Sequence, residues 1–113
     1  MRSTDAVRLA LGFPAAHEEP HFQTRSFRVG KRIFATMPPD AEHLHVFVEA
    51  HVARAAARSE PVAISELHWG KQLAGVRVLL AAISRETLRA LLESAWRRRA
   101  TKALIAAFER ERG

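Results

Sequence analysis

The 113-residue sequence predicts an α+β fold, a two-layer sandwich in which helices pack on one face of an antiparallel sheet. Three observations carry that expectation. The elements read in the order helix, strands, helix, strands, helix. Gly30-Lys31 sits between two runs of alternating pattern, Ser26-Phe27-Arg28-Val29 and Arg32-Ile33-Phe34-Ala35, which is the signal of a tight hairpin. Leu88, Leu91, Leu92, Ala95 and Trp96 fall at i, i+3, i+4, i+7 and i+8, the apolar stripe of a helix that covers a sheet.

Each element has its local reason. Ser3-Thr4-Asp5 offers a helix N-cap, Ala6, Val7, Ala10 and Leu11 follow at helical spacing, and Gly12 and Pro14 end a helix over residues 4–11. Residues 15–22 contain Pro20, which has no N–H for a ladder, so they suit an edge strand. A two-residue loop that begins with Gly suits a type II′ turn at Gly30-Lys31. It would set Val29 opposite Arg32 and Phe27 opposite Phe34, an aromatic cross-strand pair, with Arg28 on the other face. Pro38-Pro39-Asp40 is a turn. Leu44, Val46 and Val48 alternate with His45 and Phe47 as a strand, and residues 49–58 read as a helix burying Val52 and Ala56 until Pro61 ends it. Val62 and Ile64 suggest a short strand, residues 68–74 a loop, and Gly75 to Leu80 a strong strand. Ser84 caps the last helix, and with no Pro or Gly before Gly113 that helix is expected to run from 85 to about 111.

Composition narrows the class. An apolar content of 48% with 27% charged residues argues against disorder and for one ordinary domain, residues 1–113. The absence of cysteine excludes a disulfide scaffold and thiolate zinc sites. The longest uncharged apolar run, Val78 to Ile83, is too short for a bilayer, and Met1 to Asp5 leads into no apolar signal core, so a cytoplasmic module with no membrane role is expected. Lys and Arg number 18 against 12 Asp and Glu, a formal charge of +6 that attracts polyanions without reading sequence. Fifteen of the 18 are Arg, whose fork suits phosphate, although 21 alanines beside three lysines also look like a GC-rich genome.

Several strings together resemble the MmcQ/YjbR family of small bacterial proteins: Glu18-Glu19-Pro20-His21-Phe22, Ser26 to Lys31, Ile33-Phe34-Ala35, His68-Trp69-Gly70-Lys71, Gly75-Val76-Arg77-Val78 and Leu91 to Trp96. The strings fall in order, and the resemblance extends from about residue 3 to residue 104, nearly the whole chain. The resemblance implies a frataxin-like (CyaY-like) two-layer fold and a "double-wing" type of DNA-binding protein, with no catalytic residue set to transfer. The chain departs from the family in having Phe47 where Lys is usual, Leu73-Ala74 where an aromatic is usual, and Thr101 where Pro often precedes the final Lys. Frataxins carry an acidic ridge; here the first helix holds only Asp5.

The candidate nucleic-acid residues are Arg25, Arg28, Lys31 and Arg32 at one hairpin, Trp69, Lys71 and Arg77 at a second strand pair, and Arg97, Arg98 and Lys102 in the basic run of the last helix. Cationic hairpin tips can straddle a phosphate backbone, and a neighbouring aromatic can stack on a base or wedge a groove. For each residue the plainer alternative is a solvated basic surface, a Trp in the core, or a Glu93–Arg97 helix pair. His17 with His21, and His43 with His45, have ligand-like spacings, but Pro20 breaks the first and no acidic triad attends either, so no metal is expected. No nucleophile elbow, phosphate loop or acid/base pair appears, so neither catalysis nor a cofactor is expected; Glu18, Glu19 and His21 beside Lys31 only caricature such a cluster. The leading expectation is weak, largely sequence-nonspecific DNA binding by a monomer or weak homodimer. The alternative is a protein- or ligand-interaction module using an exposed apolar face at Ile33 and Phe47, and the long terminal helix offers a dimerisation surface.

Overall fold

The structure, a computed structural model, describes residues 1–112. Helix α1 (Ser3–Leu11) leads into strands β1 (Ala16–His21), β2 (Thr24–Val29), β3 (Arg32–Met37) and β4 (His43–Val46). Helix α2 (Ala50–Ser59), strands β5 (Ile64–Trp69) and β6 (Gln72–Leu79), and helices α3 (Arg85–Arg99) and α4 (Lys102–Arg112) follow. The strands form one antiparallel sheet in the order β1-β2-β3-β4-β6-β5. This is the α+β arrangement expected, with Pro20 on the edge strand β1.

Alternation along the strands sorts the two faces. Phe27, Ala35, Leu44, Val46, Val76, Val78 and Ile64 are buried and share one core with Ala6, Leu9, Ala53, Leu88 and Leu92 of the helices. Ser26, Thr36, His45 and Arg77, paired in register across four strands, line the opposite face. Helix α2 buries Ala53 fully, whereas Val52 and Ala56, the residues expected inside, are only half-buried. At the N-terminus the N-cap is Arg2 rather than Ser3, and the Arg2 N–H donates to the Asp5 carboxylate at 3.2 Å.

Three further expectations are corrected. The Gly30-Lys31 turn forms, with Gly30 at φ 62° and Val29 opposite Arg32, but the register slips between Phe27 and Arg28. Phe27 therefore faces Ala35, and Phe34 becomes the extra residue of a bulge, which sends both phenylalanines into the core without pairing them. Residues 68–74 are not a loop. β5 continues to Trp69 and β6 begins at Gln72, so the loop contracts to Gly70-Lys71, a second Gly-Lys turn with Gly70 at φ 62°.

The single helix over 85–111 is two helices. Ala100 turns extended (ψ 152°), and the Thr101 hydroxyl accepts the Leu104 N–H at 3.2 Å to start α4. Helix α4 folds back on α3. Phe108 reaches Trp96 (centroids 5.2 Å apart) and Phe13 (6.0 Å), while Arg112 and Arg97 meet Glu93, and Arg97 also meets Glu109. Burial of a Phe ring outweighs the continuity of one helix, because a free rod would leave that ring in water. The free terminal rod proposed as a dimerisation surface is thus absent. Trp96 is wholly buried, and its indole N–H donates to the Pro14 carbonyl at 3.1 Å.

Candidate nucleic-acid interface

The site is created by one short strand. β4 pairs with β3 only through Ala35–Val46 and Thr36–His45, and with β6 up to Val46–Val76. The Phe47 N–H still donates to the Phe34 carbonyl at 3.1 Å, and then the Val48 N–H turns back onto the Val46 carbonyl at 3.0 Å, carrying the chain out of the sheet. The two neighbouring hairpins do not stop there. β3 extends three further residues to Arg32 and β6 four further residues to Gln72, so the β2–β3 and β5–β6 hairpins project about 10–13 Å beyond the end of β4. The sheet forks, and both Gly-Lys turns lie at the same end of it.

Gly75 allows the turn at the base of the fork. A Cβ there would lie 2.3 Å from the Val46 carbonyl oxygen and 2.9 Å from the Phe47 Cα, so only glycine lets the departing backbone approach β6 this closely.

The gap between the prongs continues into an open pocket of about 590 Å³ over the helix-free face. Phe47, Val48 and the C-terminal end of α3 contribute to its wall, with Arg98 and Arg99 facing Arg32 of the first prong and Trp69 of the second. No carboxylate lines it. The Arg98 guanidinium donates to the Phe47 carbonyl at 2.6 Å, a neutral partner that leaves its charge uncompensated. Burial, and then the charges of Arg98 and Arg32, lower the pKa of Arg99, and its Nε is buried without a partner. Guanidinium groups crowded in this way disfavour their own charges and favour an incoming anion.

On the sheet face, His45 also has a buried ring nitrogen, Nε2, without a partner. Burial, reinforced by the charges of Arg77 and His43, pushes its pKa below the usual imidazole value. His45 is therefore neutral at pH 7. Trp69 is 60% exposed and packs against Phe47, with centroids 5.3 Å apart and planes at 53°. It is a surface aromatic, not a core residue, whereas Phe47, expected on an exposed face, is only 7% exposed.

The candidate cations thus divide. Lys31, Arg32 and Lys71 are exposed on the prongs with no acidic partner among the described residues; Arg98 stands between the prongs. Arg28 lies on the first prong, donating to Ser26 Oγ at 3.0 Å. Arg25 is not in the group. It sits at the other end of β2 and makes two bonds, of 2.5 and 2.9 Å, to Glu18, whose carboxyl it holds below the usual range. Arg77 lies 3.6 Å from Asp40, and Arg97 is engaged by Glu93 and Glu109. Lys102 begins α4 and does not line the pocket. Arg99 and His45 were not among the sequence candidates. Arg99 was within reach of the sequence as the third member of the Arg97-Arg98-Arg99 run. The sequence marked His45 only for its spacing from His43, not as part of this site.

One further cluster, Asp40, Glu42 and His43, has donor atoms close enough to share an ion. The Asp40 carboxylate is already occupied as an Asx turn, accepting from the Glu42 N–H (2.8 Å), the His43 N–H (3.2 Å) and the His43 ring (2.9 Å). Those bonds hold its carboxyl below the usual range, led by the one from Glu42. Among the described residues no helix is long and apolar enough to cross a membrane.

Comparison with known proteins agrees with this architecture. The crystal structure of the Deinococcus radiodurans protein DR2400, described with a DUF419 domain, superposes with a TM-score of 0.70 at 22% identity, over 85% of this chain and 77% of that one. No curated protein matches the sequence. The family model for YjbR matches residues 11–98.

Proposed function

The chain belongs to the YjbR family, and we propose that it acts as a small non-enzymatic module that binds DNA through phosphate contacts at the forked end of its sheet. The observation that carries this reading is that Arg32 and Arg98 line a cleft with no acidic side chain in its lining, while Lys31 and Lys71 stand exposed at the turns of the two prongs that flank it. Such a surface gains affinity by releasing counterions, so binding is weak, salt-sensitive and largely indifferent to sequence. A protein-docking reading would need Ile33 and Phe47 as an exposed apolar face, and the burial of Phe47 removes much of that face.

The test is DNA affinity as a function of salt. Four phosphate contacts predict a log–log slope of about −3 to −4, and Lys31→Glu with Lys71→Glu should lower affinity roughly tenfold or more while flattening the slope by about 2. An unchanged affinity and slope in the double variant would refute the reading.

A further inference from the structure

Resting on that reading, we infer that the cleft between the prongs takes one unpaired nucleoside phosphate unit, its base against Trp69 and its phosphate on Arg32, Arg98 and Arg99. The protein then prefers single-stranded or frayed DNA to closed duplex.

Lys31 and Lys71 stand at the turns of prongs that reach about 10–13 Å past β4, where a rigid duplex can touch them. Arg98 and Arg99 are set back between the prongs, and the Arg99 Nε is closed to solvent. A phosphate held in the backbone of a closed duplex is hindered from reaching them, whereas one on an unpaired nucleotide is free to enter. The pocket volume, about 590 Å³, falls in the range of roughly 300–1,000 Å³ typical of sites that enclose a small ligand.

The chemistry of the lining is divided as a nucleotide is divided. Three guanidinium groups, with Arg98 and Arg32 near enough for their charges to act on Arg99, suit a phosphate, which accepts forked N–H donors. Trp69 stands at the rim with most of its surface free, and the Phe47 ring braces it. A braced and exposed indole is a stacking platform that any base can use, in keeping with weak sequence preference. Between them lie His45, whose Nε2 lacks a partner, and Thr36, its cross-strand neighbour. A neutral imidazole and a hydroxyl can bond the polar edge of a base or sugar without adding charge. A purely apolar ligand would leave the arginines and His45 unsatisfied, and inorganic phosphate alone would leave Trp69 and the apolar Leu73 unused.

The experiment compares three probes of the full chain at one salt concentration: a short oligo-dT, a blunt duplex with the same number of phosphates, and free dTMP. Affinities come from anisotropy of labelled DNA and from quenching of tryptophan emission, in which Trp69 is the accessible fluorophore and Trp96 the buried one. The inference predicts quenching by oligo-dT and a preference over duplex of about fivefold or more, the scale of one stacked base. Trp69→Phe should keep that preference and Trp69→Leu should lose it. Quenching by dTMP at comparable affinity would assign the site to free nucleotides; quenching only by oligo-dT would assign it to strands. Equal affinity for strand and duplex without quenching would overturn the inference. If that duplex binding still depended on Lys31 and Lys71, the phosphate reading would survive alone; if no DNA bound, both would fall.

Discussion

Replacing Gly75 with alanine should be far more damaging than replacing Gly70, although both are hairpin glycines of the same strand pair. At Gly70 a Cβ meets nothing within 4 Å, and only the positive φ of 62° opposes it. That cost is about 1 kcal/mol. At Gly75 the new Cβ would lie 2.3 Å from the Val46 carbonyl oxygen, 2.9 Å from the Phe47 Cα and 3.1 Å from the Val46 carbonyl carbon, all of them backbone. Relief requires the turn to retreat by about 1 Å to reach ordinary contact. That turn is tied down by the Val46–Val76 and Ala35–Val46 pairings, by the Val46–Val48 bond and by the Phe47–Phe34 bond. The expected loss is about 3 kcal/mol, the upper end of overpacking penalties. With a urea m-value of about 2 kcal/mol/M, the midpoint falls by about 1.5 M for Gly75→Ala and about 0.5 M for Gly70→Ala. Because Phe47 braces Trp69, the Gly75 variant should also shift tryptophan emission. Equal midpoints for the two variants would refute the claim that Gly75 holds the base of the fork.

Two further outcomes follow from the packing and the charges. Phe108→Ala should cost about 3–4 kcal/mol in urea unfolding, because the ring closes the cluster with Trp96 and Phe13; a loss below about 1 kcal/mol would mean that α4 is not docked. His45 has a folded-state pKa below its unfolded value, so on acidification the unfolded chain takes up that proton first. Stability is therefore complete above about pH 6.5 and falls as pH drops from there to the folded pKa, by at most about 1.4 kcal/mol per pH unit. His45→Gln should flatten this window, which is separate from the more acidic one where Asp40 and Glu18 titrate; an unchanged pH profile would contradict the assignment.

The sequence exposed what local chemistry decides. The first Gly-Lys turn, the edge strand with Pro20 and the stripe from Leu88 to Trp96 all stood where their patterns placed them. The second Gly-Lys turn was hidden because its flanks, His68-Trp69 and Gln72-Leu73, lack clean alternation; three of the four are exposed. The bulge at Phe34 and the break at Ala100 were illegible for a different reason. Each is set by the burial of a phenylalanine against partners distant in sequence, although Thr101 was a visible cap. The site followed the same division. Lys31, Arg32, Trp69, Lys71 and Arg98 were found from residue type, whereas the neutralisation of Arg25 by Glu18 depends on cross-strand geometry, and the membership of Arg99 and His45 depends on where β4 ends.

On the proposed reading, the placement of charge, and not its total, makes the binding surface. Reversing Lys31 and Lys71 to Glu lowers the net charge from +6 to +2, since each reversal removes 2. Reversing Arg2 and Arg85 to Glu does the same at the opposite end of the sheet, where the Met1 ammonium bonds the Leu80 carbonyl and α3 begins. Measured on one DNA across a salt series, the fork variant should lose roughly tenfold or more in affinity and flatten its slope by about 2, with the far-end variant changing little. Equal losses in the two variants would show that net charge alone attracts the DNA, and the fork would have no special part in binding it.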